Sequence, residues 1–177
     1  MVVVALGNSV EPGFPKPYRT YENASEDEQI SAYTQIAQIF EAQDKEDLAR
    51  QALNSINDES QKFYALVAMS DAESKRDSKE KAFEFLTEAE HLADGIEQYA
   101  LRSSAYNEIA ARFQKLEKTE KARGILTTNL ETIAVIRDRS SLVSSLAQLS
   151  DFFDENNIAL NEREVEILKN LVRESMR

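Results

Sequence analysis

Three stretches of this 177-residue chain lie over one another without a gap, and that internal repeat limits the fold more than any other feature. They are AYTQIAQIFEAQDKEDLA (Ala32 to Ala49), ALVAMSDAESKRDSKEKA (Ala65 to Ala82) and AYNEIAARFQKLEKTEKA (Ala105 to Ala122). Each reads as a helix, a short charged turn and the start of a second helix. A unit of this kind cannot bury its apolar face alone, so neighbouring units must stack on it. Composition points the same way. With 4 Gly and 3 Pro the chain is poor in helix breakers, and its abundant Ala, Leu, Glu, Lys and Gln enter a helix at little entropic cost. No segment alternates with period two for long enough to make a sheet.

The periodicity predicts helices over 26–42, 46–56, 59–75, 79–93, 97–116, 119–136, 139–154 and 162–176. Ser25 with Glu28 has the pattern of a capping box for the first. Asp44 is expected to open the second helix, Asp77 with Glu80 the fourth, and Asn161 with Glu164 the eighth. Gly95 is expected to end the fourth as a C-cap. On the last helix Val165, Leu168, Leu171 and Val172 share one face, with Ile167 at its flank; Glu162, Arg163, Glu166, Lys169, Asn170 and Arg173 cover the other. One wet face suits a helix that caps a stack. Residues 1–24 contain all three prolines and read as an irregular N-terminal arm, leaving 25–177 as the repeat domain.

The spacing inside each unit resembles the tetratricopeptide repeat, in which the first helix carries a large, a small and another large residue. Tyr106, Ile109, Ala110 and Phe113 occupy those positions in the third unit, with Ala122 and Leu126 on its second helix. Tyr33, Ile36, Ala37, Phe40, Ala49 and Leu53 match them in the first. The second unit keeps Leu66, Met69, Ala82 and Leu86 but has Ser70 at the small position and Glu73 where the aromatic belongs. A fourth unit keeps Leu146 and Ala147, with Ala159 further on. Ala49 and Ala82 are 33 residues apart and Ala82 and Ala122 are 40, so some helices must be longer by one or two turns. The resemblance implies an all-α, right-handed superhelix of about four antiparallel helical hairpins.

Chemistry is thinly represented. The chain has no cysteine and one histidine, which removes thiolate chemistry and the usual His-rich zinc sites. Glu88 and His91 share a helix face, yet a di-metal bundle needs two such pairs. No phosphate-binding glycine motif or nucleophile elbow occurs. The expectation is therefore no catalysis, no cofactor and no metal. A net charge of -11 repels phosphate backbones and anionic lipid, so neither nucleic acid nor membrane is an expected partner. The apolar run VVVAL is too short for a bilayer span or a secretory signal core, which makes the cytoplasm the default location.

In the family it resembles, first helices line a groove for extended peptides. Carried over by position, that surface is Thr34, Gln38 and Glu41; Val67, Asp71 and Ser74; Asn107, Ala111 and Gln114; and Ser144, Gln148 and Asp151. None is Lys or Arg, and only Asn107 suits a clamp for a peptide's C-terminal carboxylate. The expected partner is a protein or peptide segment that is neutral or basic, not acidic. The competing reading is a regulatory or structural subunit that forms homo-oligomers through its N-terminal arm.

Overall fold

The structure is a computed structural model that describes residues 26–156 and 158–175. The expectations for residues 1–24 and for the Ser25 cap fall outside the described residues. Among them the fold is all-α: α1 (Glu26–Glu41), α2 (Glu46–Asn54), α3 (Glu59–Lys75), α4 (Lys79–Gly95), α5 (Tyr99–Lys115), α6 (Thr119–Ala134), α7 (Arg139–Asn156) and α8 (Glu162–Ser175). No described helix is long and apolar enough to cross a membrane. The chain divides into two compact units, Met1–Ala65 and Leu66–Arg177, with the boundary inside α3.

In the first unit α1 packs on α2 across the residue 42–45 turn, burying Ala37, Ala49, Ala52 and Leu53. In the second, α5 packs on α4, α6 and α7, while α6 packs on α8. Pairing of α5 with α6 makes a hairpin. Pairing of α5 with α7 and of α6 with α8 sets first helix against first helix and second against second, which is how stacked hairpins bury a continuous core. Tyr106, Ile109, Ala110, Phe113, Ala122 and Leu126 are all buried, as the repeat requires. So are Leu66, Met69, Ser70, Glu73, Ala82 and Leu86. Glu73 replaces an aromatic without leaving a bare charge: Arg76 Nη1 lies 2.6 Å from its Oε1.

The turns repeat as strictly as the helices. Lys45, Ser78 and Lys118 donate their backbone N–H groups to the carbonyls of Phe40, Glu73 and Phe113, each at 2.9 Å. Asp44, Asp77 and Glu117 donate to Glu41, Ser74 and Gln114, at 2.9, 3.2 and 3.0 Å. This pair of bonds is the Schellman closure, and it needs a left-handed residue after the helix. Asp44, Asp77 and Glu117 supply it with φ of 55°, 63° and 61°. Asp44 and Asp77 therefore end first helices and do not cap second ones; the caps of α2 and α4 are Lys45 and Ser78, neither with a side-chain bond. Gly95 is the last residue of α4, followed by an extended Ile96, so it makes no left-handed cap. The α8 cap does form: Asn161 Oδ1 accepts from Glu164 N at 2.9 Å, and Glu164 Oε2 accepts from Asn161 N at 2.8 Å.

The same bonds settle the register of the fourth unit. Asp58 Oδ1 accepts from Gln61 N at 2.7 Å and Asp138 Oδ2 from Ser141 N at 2.7 Å, capping α3 and α7, while Gln98 caps α5 by position. These three caps are spaced by 40 residues. Hydrogen bonds from Ser140 and Ser141 hold the Asp138 carboxyl down at about 2. Ile158 N donates to Phe153 O, the i to i−5 bond made at Phe113. The fourth unit thus aligns Leu146 with Tyr106, Leu149 with Ile109 and Phe153 with Phe113. Leu149 and Phe153 are buried whereas Ala147 and Ala159 are exposed, which moves the expected frame by three residues. The change of period from 33 to 40 lies in the second helix: α2 has 9 residues, α4 has 17 and α6 has 16.

Two positions give direct tests. Gly124 lies inside α6, exposed, with nothing within 4 Å of the place a Cβ would take. Gly124→Ala should raise stability by about 0.5–1 kcal/mol, because alanine loses less backbone entropy in a helix; a urea titration reads the gain. Tyr106 donates its hydroxyl to Asp94 Oδ1 at 2.6 Å, joining α5 to the end of α4. Burial first, then that bond, raises its pKa well above the ordinary value of 10.0. A group raised on folding contributes stability that is present below the unfolded pKa and is lost as pH climbs from there toward the folded one. The urea midpoint should fall between pH 9 and pH 11. Tyr106→Phe should flatten that fall, leaving the smaller part due to Tyr33, also raised by burial.

Candidate functional site

The residues carried over from the repeat pattern do not share one environment. Thr34, Gln38, Asp71, Asn107, Ala111 and Gln114 are half-buried; Glu41 and Val67 are buried; Ser74, Ser144, Gln148 and Asp151 are exposed. One residue along α1, and at two positions of α5, the pattern is more open. Gln35, Ile39 and Ala42 are exposed beside Thr34, Gln38 and Glu41, as are Glu108 and Lys115 beside Asn107 and Gln114. A step of one residue turns a helix by about 100°, enough to move a side chain from the seam between helices to open solvent. In the second unit the 40-residue register makes Ala147 and Asp151 the equivalents of Asn107 and Ala111, three residues after Ser144 and Gln148.

Within that unit the most unusual chemistry runs along α5. Ser103, Asn107, Ala110 and Gln114 follow one another at i, i+4, i+7 and i+11 and so form a single stripe. Asn107 Oδ1 accepts from Asn129 Nδ2 of α6 at 2.8 Å. The remaining amide atoms of the pair, Asn107 Nδ2 and Asn129 Oδ1, are buried without a hydrogen-bond partner, as are Gln114 Oε1 and Ser103 Oγ. A buried polar atom left unmatched costs about 1–3 kcal/mol, which is why native interiors hold few of them. Along α5 the unmatched amide donor of Asn107 and the unmatched amide acceptor of Gln114 lie two turns of helix apart.

Beside the stripe lies an ion cluster. Arg112 donates through Nε to Asp71 Oδ1 at 3.0 Å and through Nη2 to Asp71 Oδ2 at 2.9 Å, joining α5 to α3 in a two-pronged bond. Its Nη1 also donates to the Glu108 carboxylate and to the Glu108 carbonyl. Burial disfavours the charged guanidinium, but the two carboxylates outweigh it and its pKa is raised. Asp71 is consequently not a free acid at the rim, and a basic residue stands next to a surface expected to have none. Repeat position alone misses Arg112, Ser103 and Asn129. The i, i+4 pairing of Glu108 with Arg112 and the polar residue at 129 on the face of Ala122, Leu126 and Ile133 were the signals available.

His91 is exposed and Glu88 half-buried near the end of α4. No group of three or more His, Asp or Glu among the described residues could hold a metal ion. No protein-family model, no curated protein and no solved structure matches the chain.

Proposed function

We propose that this chain is a tetratricopeptide-like interaction scaffold, without catalysis, that holds an extended peptide segment against its first helices. The observation that carries the reading is the α5 stripe, where Asn107 Nδ2, Gln114 Oε1 and Asn129 Oδ1 are buried and unmatched on a helix whose Asn107 and Gln114 are half-buried beside the exposed Glu108 and Lys115. Amide side chains recognise peptide N–H and C=O groups without asking for a charge. On α7 the exposed Ser144 and Gln148 carry hydroxyl and amide groups one residue beyond the stripe's register. Because Arg112 already neutralises Asp71 and Glu108, the segment favoured at this site is neutral; basic flanking residues suit the exposed Asp151 and the net charge of -11. The tetratricopeptide reading is supported by the buried large–small–large set at Tyr106 to Phe113 and by the matching set on α1, where Ala37 is buried and Tyr33, Ile36 and Phe40 are half-buried.

The test is selection of binders from a random peptide display library, followed by fluorescence polarisation with the enriched peptides. Gln148→Arg, at an exposed position, and Asn107→Ala should each weaken binding at least tenfold, and acidic peptides should not enrich. A melting curve on each variant separates lost binding from lost fold. If no peptide enriches, or if enriched peptides ignore both changes, the scaffold reading of this face is wrong.

A further inference from the structure

The last helix packs only part of the face its sequence offers. Against α6 and α7 it buries Leu171 and Glu164, and Arg123 Nη2 reaches Glu164 Oε2 at 2.9 Å. That rotation leaves Val165 and Leu168 half-buried and Val172 45 % exposed. These three sit at i, i+3 and i+7, the spacing of a seam between helices. With Leu160, Lys169 and Arg173 they line an open groove of about 390 Å³.

We propose that a second copy of this chain fills the groove, the two α8 helices pairing antiparallel about a two-fold axis near Leu168. The order of charge beside the seam selects this occupant. Glu162 and Glu166 stand on its solvent side in the first half of α8, and Lys169 and Arg173 continue the same side in the second half; all four are exposed. An antiparallel copy sets Glu162 opposite the partner's Arg173 and Glu166 opposite the partner's Lys169. Two-fold symmetry repeats both pairs, giving four opposite-charge contacts around the apolar centre. A parallel copy carries this charged flank to opposite sides of the pair and makes none of these contacts. Such a surface is self-complementary even though each chain is strongly acidic as a whole, because it places the local basic end of one helix on the acidic end of the other.

Sedimentation velocity over a concentration series of the full chain tests this. The wild type should show a concentration-dependent dimer. Leu168→Asp should abolish it, with circular dichroism confirming that the helices remain. Glu166→Lys and Lys169→Glu should each move the dimer midpoint at least tenfold upward, since each sets like charges face to face. Mixing these two variants in equal amounts should restore a heterodimer near the wild-type midpoint, an outcome that general loss of folding cannot produce. A wild type that stays monomeric at every concentration overturns the proposal. So does a dimer that survives Leu168→Asp, or one lost on deleting residues 1–24 and indifferent to the charge changes, which would make the arm the contact.

Discussion

Replacing Phe113 by alanine should lower stability by about 3–5 kcal/mol, the cost of a lost aromatic side chain plus the cavity it leaves. Phe113 is fully buried, and its ring meets that of Phe83 edge-on with centroids 5.5 Å apart. Lys121 Nζ lies 5.9 Å from the centre of the same ring while its charge pairs with Glu90 of α4 at 2.7 Å. The ring therefore holds α5 against side chains from α4 and α6 at once. For a chain of this size the loss corresponds to a melting temperature lower by roughly 6–20 °C. The backbone bond from Lys118 N to Phe113 O survives the change, so the turn is kept and the effect reads packing alone. Phe40, its half-buried counterpart on α1, should cost less when cut to alanine. A loss below 1 kcal/mol for Phe113 would mean that the large–small–large packing is not what holds the hairpin.

Leu149→Ala should cost about 2–5 kcal/mol, whereas Ala147→Leu should change stability by less than about 0.5 kcal/mol. The comparison decides the register of the fourth unit. In the frame suggested by sequence, Leu146 and Ala147 are the large–small pair of α7, and a leucine at 147 would overpack the core. In the 40-residue frame set by the Asp138 cap and the Ile158–Phe153 bond, that pair is Leu149 and Ser150. Leu149 is fully buried and Ala147 is exposed. Denaturation with urea measures both variants. A costly Ala147→Leu beside a tolerated Leu149→Ala would return the unit to its earlier frame.

The false frame has a physical origin. A repeat is recognised by its small residues, because only Ala or Gly lets helix backbones approach closely, and the fourth unit has Ser150 and Glu162 where the third has Ala110 and Ala122. The Asp58, Gln98 and Asp138 caps would have restored the register, since a cap reports the start of a helix whatever its core contains. The turns misled for a related reason. Asp44 and Asp77 look like N-caps because their carboxylates could accept amide bonds, but aspartate also tolerates a left-handed backbone, and the chain uses that property to close the preceding helix. The candidate site was half legible. Asn107 and Gln114 were placed by repeat position, yet the unmatched state of their amides depends on Asn129, 22 residues away from Asn107.

By itself the sequence determined the all-α plan of eight helices among the described residues, because 3.6-residue periodicity, scarce Gly and Pro, and repeated size patterns are local properties of the sequence. Helix ends came within about two residues for the same reason. Only the tertiary structure decided which way each helix faces. The apolar face of α8 was readable, but the fraction of it that packs depends on how α6 and α7 present themselves, so Leu171 is covered and Val172 is not. It likewise decided that Arg112 crosses to Asp71 and removes an acid from the surface where peptide is expected. Pairings between residues 41 positions apart are set by how hairpins stack, and no local pattern specifies that rotation.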